Sequence, residues 1–421
     1  MNVTQKPQLH QDWIDDHAIG IVRALQKQGH TTYLVGGCVR DLLLGIAPKD
    51  FDIATTALPE QVRKIIYRAY VIGRRFRLVL VRRDDQQFEV ATFRRELSPE
   101  ELVPVEEGEE TIGDNAFGTP EEDAKRRDFT INGMFYDPVN NELIDFAEGL
   151  PDLKARVVRM IGDPFKRLLE DPIRIMRALR LKHMIEFSLD EELRKAMQTH
   201  AGTLATAVLP RRREEILKWL RLKDPSAAFL EAWDLEILRY ISPTLQKFLD
   251  EQPAEAKESF WTLLRHMHDG NIDKQSPAEL FALLVHAFIR SFIQPDPTQH
   301  LRQKELEEHP ELSKWMRDEL GMFKTEQSGI LKSIQMQALL TKRADFERRG
   351  ERRQNAIFQS EAFPMALKIA EKDFLLSQED LLFWKSGDLK RVKHSGSDHP
   401  RPKSRNRNRS RRRRAPRQQG V

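Results

Sequence analysis

The chain has 421 residues, of which 40% are hydrophobic and 32% charged, with a net formal charge of +4 and one cysteine, Cys38. This length predicts two to four packed units, and the composition excludes disorder throughout the chain, an internal disulfide and a multi-thiolate metal site. Since no apolar run approaches the roughly 18 residues of a membrane-spanning helix and the N-terminus lacks a signal pattern, we expect a soluble cytoplasmic protein.

Helical and strand patterns alternate through the first 150 residues. Helices are recognised by apolar residues at three- and four-residue spacing, and strands by short β-branched or aromatic runs or by a period of two. In chain order the predicted elements are a helix within 1–30, a strand at 31–35, a helix at 39–44, a strand at 50–54, a helix at 59–70, strands at 77–81 and 87–92, and strands at 135–136 and 143–145. This order predicts a small α/β unit.

A loop, a long helical region and a polar tail complete the organisation. Residues 96–122 are acidic and turn-rich, which predicts a mobile loop beside the sheet. Residues 164–384 are almost wholly helical in pattern, whereas residues 386–421 have too little apolar surface to offset the entropy of ordering. The predicted fold class is therefore α+β, with a small α/β unit followed by helices and a disordered Arg-rich tail over 386–421.

Two carboxylates and a glycine pair are the first candidates for chemistry. Asp50 and Asp52 lie two positions apart on a predicted strand, so their side chains share one face and suit Mg²⁺, which fills its shell with water and substrate phosphate. Alone, this pattern is more often simple polar alternation on an exposed strand. Gly36 and Gly37, followed by Arg40, could present backbone N–H groups and a guanidinium to a triphosphate, or could form a simple turn.

Four motifs in order resemble those of the class II nucleotidyltransferases of the DNA polymerase β superfamily, the group of CCA-adding enzymes and bacterial poly(A) polymerases. They are L-V-G-G-C-V-R-D at 34–41, K-D-F-D at 49–52, R-R-D-F-T-I-N at 126–132 and E-D-P-I-R-I-M-R-A at 170–178. The resemblance is dense from about residue 30 to 190. It implies a polymerase-β-like palm, or head, over 1–150, followed by an all-α neck over 151–235 and an all-α body over 236–385. It also implies Mg²⁺-dependent nucleotidyl transfer to RNA 3′ ends with release of pyrophosphate.

The resemblance also implies roles for individual residues. Asp50 and Asp52 become the metal ligands, and Asp128 joins them in the catalytic site. Asp171 and Arg174 become an amino-acid template that pairs with the edge of the incoming base, while the later arginines of the same helix meet phosphate. Nucleotide contacts are implied for Gly36, Gly37, Arg40, Arg127, Asp171, Arg174, Arg177 and Arg180.

Two patterns leave a choice open. Glu89, on a predicted strand, either completes the carboxylate cluster or is an outward-facing polar residue, and the pattern favours neither. Asp171, Arg174, Arg177 and Arg180 recur every three residues, which on a helix usually forms a salt-bridged outer face. Only the resemblance favours a nucleotide site over that ordinary surface.

Three segments favour adenylate addition within this family. They are V-I-G-R-R-F-R-L-V at 71–79, D-N-A-F-G-T-P-E-E-D-A at 114–124 and the Arg cluster within 411–417, all similar to poly(A) polymerase versions. The predicted activity is therefore template-independent polyadenylation of RNA 3′ ends from ATP in mRNA processing and turnover. Residues 200–385 do not follow poly(A) polymerase bodies, so a CCA-adding or A-adding tRNA enzyme is the alternative, and an inactive RNA-binding protein is a second one.

The tail carries the positive charge of the chain. Residues 390–421 contain thirteen Lys and Arg against one acid, whereas the rest has 56 basic and 64 acidic residues, a net charge of −8. Such a run gives salt-dependent attraction to phosphates without sequence preference, although charge runs are often only solubilising. Because an acidic globular part has to attract a polyanionic primer, we predict that the tail captures RNA.

Overall fold

The structure, a computed structural model, describes residues 3–73, 78–96, 116–266, 272–293 and 302–395. The chain forms two compact units, Met1–Gln335 and Met336–Val421, and the division falls within the predicted body. Within the described ranges, no helix combines the length and the apolar character needed to cross a membrane.

A mixed eight-stranded sheet forms the head. Its strands are β1 (Val3–Gln5), β2 (Thr32–Val35), β3 (Asp52–Thr55), β4 (Ala69–Ile72), β5 (Leu78–Arg83), β6 (Gln86–Thr92), β7 (Met134–Asp137) and β8 (Glu142–Asp145). The spatial order is β1-β8-β7-β2-β3-β6-β5-β4. Strands β3 and β6 are parallel and the other neighbours are antiparallel. The first residue of β3, Asp52, therefore lies beside Glu89 in the first half of β6.

Alternating burial shows that one face of this sheet is covered near β3, β5 and β6. Ile53, Val79, Val81 and Val90 are buried on that face. The head helices are α1 (Asp16–Lys27), α2 (Gly37–Leu43), α3 (Pro59–Ile65), α4 (Pro120–Arg126) and α5 (Gly149–Ala155). The amphipathic helix predicted within 1–30 is confirmed as α1, whose N–H groups are capped by the side chain of Asp15.

The predicted helix over 59–70 is wrong in its second half. Helix α3 ends at Ile65, Arg68 takes a positive φ of 53°, and residues from Ala69 onwards form the edge strand β4. The run from Ala69 to Ile72 is rich in residues that favour strands, and pairing with β5 satisfies its backbone groups. Strand β1 was not predicted at all. This strand joins the sheet by antiparallel pairing with β8.

The predicted loop over 96–122 lies largely outside the described residues, which stop at 96 and resume at 116. Its last part is helical, because α4 begins at Pro120. Thr119 caps this helix by accepting from the N–H of Glu122, whose carboxylate accepts from the N–H of Thr119. A short capped helix therefore leads into the R-R-D segment.

Helices dominate the chain beyond the head, as predicted. Two short parallel strands, β9 (Val157–Val158) and β10 (Ser188–Leu189), pair beside them. The helices are α6 (Pro164–Glu170), α7 (Ile173–Ile185), α8 (Glu191–His200), α9 (Leu209–Leu220), α10 (Pro225–Asp234), α11 (Leu238–Ile241), α12 (Pro243–Glu251), α13 (Ala254–His266), α14 (Pro277–Phe288), α15 (Gln303–Glu307), α16 (Pro310–Lys314) and α17 (Lys324–Leu340). Trp219 of α9 is fully buried and donates from Nε1 to the carbonyl of Met176, which joins α9 to α7.

The second unit has its own aromatic core. Its helices are α18 (Arg343–Glu347), α19 (Glu351–Phe358), α20 (Phe363–Lys372) and α21 (Gln378–Ser395). The ring of Trp384 lies 4.6 Å from that of Phe346 and 5.1 Å from that of Phe383. The disordered tail was predicted to start at 386, whereas α21 continues to Ser395. The unfavourable free energy of helix nucleation applies only to the first turn, and the first turns of α21 are stabilised by packing. Polar residues can therefore extend this helix without packing against a core. The rest of the predicted tail, from 396, lies outside the described residues.

Candidate active site

Three carboxylates share the open face of the sheet. Asp50 lies two residues before β3 and Asp52 begins it; both are exposed while Phe51 and Ile53 are buried. This alternation of exposed and buried residues agrees with the prediction that the two aspartates share a face, although the strand starts two residues later than expected. Glu89 of β6 lies directly beside Asp52 in the parallel register. The structure thus brings Glu89 to the same face as the aspartates.

The electrostatics of this cluster suit a cation. The pKa of Asp52 is raised, first because surrounding protein displaces water around its carboxylate and then because Glu89 and Asp50 are negatively charged; Arg127 opposes the shift. Asp52 is nevertheless solvent-accessible. Within the described residues no three His, Cys, Asp or Glu side chains are already grouped closely enough to hold a metal. Two carboxylates with water and phosphate completing the shell fit the requirements of Mg²⁺.

The raised pKa of Asp52 has a consequence for stability. A carboxyl whose pKa is higher in the folded than in the unfolded state stabilises the fold only at low pH, and this contribution is lost as pH rises through the folded pKa. Asp52→Asn removes the destabilising charge, so the variant is expected to melt at a higher temperature than the wild type at pH 7. The difference should vanish below the pKa of a free aspartate. Thermal melts without divalent cations from pH 3 to 8 measure it, and an equal or lower melting temperature at pH 7 would contradict it.

Gly36 allows two functional side chains to meet. Its φ is +77°, and a Cβ at this position would lie 3.1 Å from Nη1 of Arg127 and 3.8 Å from Oδ2 of Asp52. A side chain here would therefore be strained and would crowd Arg127. Gly37 begins α2, and a Cβ there would lie at an ordinary contact distance of 3.5 Å from Nη2 of Arg40. Gly36 thus makes room for Arg127 close to Asp52.

Arg40 is committed to other protein groups. It is only 4% exposed, and it donates to Oδ1 of Asp41 at 2.6 and 2.9 Å and to Oδ1 of Asn132 at 2.7 Å. These bonds fasten α2 to the turn that follows the R-R-D segment. A phosphate at Arg40 would have to compete with them.

Arg127 and Asp128 point to different partners. Arg127 donates to Oδ2 of Asp123 at 2.9 Å, and its guanidinium lies 5.1 Å from the ring centre of Phe135. Asp128 accepts from Nε of Arg174 at 3.4 Å and forms an ion pair with Arg177 at 2.6 Å. Asp128 therefore links the head to helix α7.

Arg167 contacts the backbone of the candidate site, and the sequence did not single it out. It is 8% exposed and donates to the carbonyls of Arg126 and Arg127 at 2.7 and 3.2 Å, and to Oε2 of Glu170 at 2.9 Å. Its side chain therefore positions the backbone of the R-R-D segment. The only sequence signal was an arginine on the buried side of an amphipathic helix.

Arg167→Ala is expected to lower the free energy of unfolding by about 2–4 kcal/mol, because two carbonyls and the carboxylates of Glu96 and Glu170 lose a largely buried charged donor. Urea denaturation followed by tryptophan fluorescence measures the change. Lys166→Ala is the matched control, since Lys166 is exposed on the same helix. Equal stability of the two variants would contradict the positioning role.

The predicted template residues have unequal surroundings. Asp171 receives both Nη atoms of Arg211 on its two carboxylate oxygens, at 3.0 and 2.7 Å. Arg174 donates to Oε2 of Glu170 at 3.0 Å and to the carbonyl of Arg167 at 2.6 Å, in addition to its bond with Asp128. Arg211, at the start of α9, was not singled out from the sequence. It holds Asp171 in a fixed bidentate geometry.

Arg180 lies at the interface between two helices. Its Nε donates to Oε2 of Glu215 on α9 at 2.9 Å. Burial alone would raise the pKa of Glu215, but the charges and hydrogen bonds of Arg180 and Lys218 outweigh it and lower this pKa. The structure thus gives Arg180 a salt-bridge partner, whereas Arg174 and Arg177 reach the head through Asp128.

Comparison with known proteins agrees with this architecture. A family model described as the poly A polymerase head domain matches residues 32–159, and one described as a probable RNA- and SrmB-binding site of polymerase A matches residues 186–249. A CCA-adding enzyme of Bacillus licheniformis is 30% identical over 396 residues, covering 90% of this chain and 92% of that protein. The chain belongs to the family of bacterial poly(A) polymerases and CCA-adding enzymes.

Both branches of this nucleotidyltransferase family are represented among the relatives. Poly(A) polymerase I of Haemophilus influenzae is 37% identical over 273 residues, but the aligned region covers 63% of this chain and only 60% of that protein. The crystal structure of the Bacillus stearothermophilus CCA-adding enzyme in complex with CTP has a TM-score of 0.61 at 23% identity, covering 90% of this chain and 82% of that one. At this level of identity, the similarity to the crystal structure is evidence for the fold alone.

Proposed function

We propose that the protein adds AMP from ATP to the 3′ ends of RNA without a template and releases pyrophosphate. The observation that carries this proposal is the sheet register that sets Glu89 beside Asp52, with Asp50 on the same exposed face and Arg127 close to Gly36. Such a face can receive a triphosphate next to a primer hydroxyl. Phosphoryl transfer depends mainly on positioning and charge stabilisation, so no covalent protein intermediate is required.

Asp50 and Asp52 are the residues that would hold Mg²⁺, with Glu89 as a further carboxylate beside them. When bound, Mg²⁺ supplies charge neutralisation at the phosphates and lowers the pKa of the attacking hydroxyl. Arg127 places a positive charge on the Gly36 side of the cluster, and its guanidinium also donates a hydrogen bond to Asp123. The chain's own contribution is to align the hydroxyl, the α-phosphate and the leaving group.

The choice of ATP rests on the template residues. Asp171 can accept from the exocyclic amino group of adenine while Arg174 donates to a ring nitrogen. Because Arg211 occupies both carboxylate oxygens of Asp171, the acceptor is held in one position. A template held in one position favours one base, and this supports repeated addition of adenylate.

A CCA-adding or A-adding tRNA enzyme is the second candidate. It is favoured by the similarity to the Bacillus licheniformis enzyme, which extends over 92% of that protein, whereas the poly(A) polymerase similarity covers 60% of its relative. Both activities need the same carboxylates. They differ in the order of nucleotides that the template accepts.

Primer extension with each nucleotide separately distinguishes the two. Purified protein and Mg²⁺ are incubated with an unstructured RNA or with tRNA lacking its 3′ end, and ATP, CTP, GTP or UTP is added alone or in pairs. Processive addition from ATP alone on the unstructured RNA supports polyadenylation. Ordered C, C, A addition restricted to tRNA would replace it with the second candidate, and no extension of either RNA would favour an inactive RNA-binding protein.

A further inference from the structure

A row of residues in register leads from the catalytic carboxylates to the outer edge of the sheet. Asp52 pairs with Glu89, Glu89 with Leu80, and Leu80 with Tyr70. Residues paired in this way point to the same face of a sheet. Tyr70 therefore stands in line with Asp52, three strands away, at about 14 Å if neighbouring strands lie about 4.8 Å apart.

The edge of this face carries exposed aromatic rings with arginines beside them. Tyr67 is 75% exposed and Tyr70 is 52% exposed. The guanidinium of Arg68 lies 5.4 Å from the ring centre of Tyr67, and that of Arg82 lies 5.8 Å from the ring centre of Tyr70. We call Tyr67, Arg68, Tyr70, Arg82 and Arg83 the tyrosine–arginine patch.

The charge of the patch is not neutralised by neighbouring acids. Across the part of the chain that the structure describes, none of Arg68, Arg82 and Arg83 forms an ion pair with a carboxylate. Arg83 instead donates to the main-chain carbonyls of Tyr67 and Arg82. Asp84, in the nearby turn, pairs with His17. The patch thus places three positive charges on a chain that is net negative before residue 390.

We propose that the tyrosine–arginine patch binds single-stranded RNA upstream of the 3′ end that is being extended. Exposed aromatic rings that stack on bases, combined with cations that follow the backbone, are the usual means of binding single strands without sequence preference. With the 3′ hydroxyl near Asp52, nucleotides a few positions upstream reach Tyr70 across the sheet face. The direction in which the RNA runs, with its 3′ end at Asp52, rests on the proposed function. The binding of RNA rests on the patch itself.

Position on the sheet favours RNA over a protein partner. Strand β4 is an edge strand, and edge strands can be extended by a strand from another protein through main-chain hydrogen bonds. Tyr70 and Arg82 project from the open face and not along the strand edge. Tyr70 is in line with Glu89 and Asp52, and Arg82 lies two residues further along β5 on the same face. Continuity with the carboxylates and unneutralised positive charge both match a polyanion that ends at the catalytic site.

Binding of full-length protein to a fluorescent RNA of about 16 nucleotides tests the proposal, with anisotropy recorded near 0.3 M salt to screen the basic tail. Tyr70→Thr keeps strand propensity but removes the ring, Tyr70→Phe keeps the ring, and Arg82→Ala removes one charge. Arg23→Ala is the charge-matched control, because Arg23 is exposed on α1, which contacts the opposite face through His17 and Phe88.

Tyr70→Thr should weaken RNA binding by roughly 5- to 100-fold, and Tyr70→Phe should bind like the wild type. Arg82→Ala should weaken binding and reduce its salt dependence, whereas Arg23→Ala should not. In extension assays the KM for the long primer should rise in Tyr70→Thr, while the KM for ATP and turnover on a dinucleotide primer stay unchanged.

Wild-type RNA affinity in both Tyr70→Thr and Arg82→Ala would overturn the proposal and leave the edge strand as a surface for another protein. If Tyr70→Thr lost as much extension activity on the dinucleotide primer as on the long primer, the proposal would also be overturned. A dinucleotide is too short to contact the patch, so such a loss would come from a structural effect. The binding experiment needs no catalysis. Failure of every nucleotide to extend RNA would therefore refute the proposed function while the anisotropy data still decide the role of the patch.

Discussion

Asp52→Asn is expected to reduce the rate of nucleotide addition by about 10³-fold or more, equivalent to roughly 4 kcal/mol of transition-state stabilisation. The substitution keeps the size of the side chain but removes a charge that interacts with both Glu89 and Arg127. Asp50→Asn should act in the same direction. Single-turnover extension with saturating ATP and RNA measures the effect on the chemical step.

Asp234→Asn is the matched control for this prediction. Asp234 is exposed at the end of α10, in the helical region beyond the head. It should retain wild-type turnover. RNA binding should survive in all three variants, and the melting temperature of Asp52→Asn should not fall, so lost activity cannot be assigned to unfolding. Near-normal turnover of Asp52→Asn or Asp50→Asn would refute the metal-ligand assignment.

Glu89→Gln decides the role that the sequence left open. If Glu89 shares the catalytic work, the variant should lose activity and the pKa of Asp52 should fall, because one of the charges that raises it is gone. An outward-facing polar residue would change the pKa of Asp52 but leave turnover near that of the wild type. The pKa of Asp52 is measured in protein free of divalent cations and turnover in the presence of Mg²⁺, and the wild type and Glu89→Gln are compared in both measurements.

Local sequence was sufficient to predict which face carries the carboxylates, but it was not sufficient to predict β4, the strand that borders the patch. Asp50 and Asp52 alternate with Phe51 and Ile53, and a period of two fixes their face without reference to other parts of the chain. Around Tyr70 the spacing of apolar residues fits a helix as well as a strand. Pairing with β5 decides it, and that pairing depends on tertiary structure.

The row from Asp52 to Tyr70 could not be read from the sequence for the same reason. It depends on three registers, and a slip of one residue in any of them would turn the side chains beyond it to the other face. Motifs along the chain identify residues that do chemistry. They do not identify neighbours such as Tyr70 that reach the site only through sheet pairing.

Three consecutive arginines at the start of α9 show a similar limit for helices. Arg211 pairs with Asp171, Arg212 donates to the carbonyl of Tyr240, and Arg213 pairs with Glu326. Successive residues of a helix point about 100° apart, so three identical side chains reach three different partners. The sequence L-P-R-R-R-E-E contains no sign of which arginine faces the template.

Arg211→Ala is therefore expected to relax the choice of nucleotide, with the ratio of kcat/KM for ATP over CTP changing by about 10- to 100-fold. This range corresponds to the roughly 1.5–3 kcal/mol of a hydrogen bond to a charged group. Without Arg211, Asp171 is free to change position, and it can then accept from the amino group of cytosine as well as from that of adenine.

Stability should change little in this variant, because the pair is partly exposed, with Arg211 at 52% and Asp171 at 22%, and such salt bridges contribute about 0–1 kcal/mol. Arg239→Ala is the control, since Arg239 pairs only with Glu236 on the surface among the described residues. Steady-state kinetics with ATP and CTP on the same RNA give the ratio. A uniform loss with both nucleotides would mean that Arg211 serves the general geometry of the site, and fixation of Asp171 would then not be the origin of ATP choice.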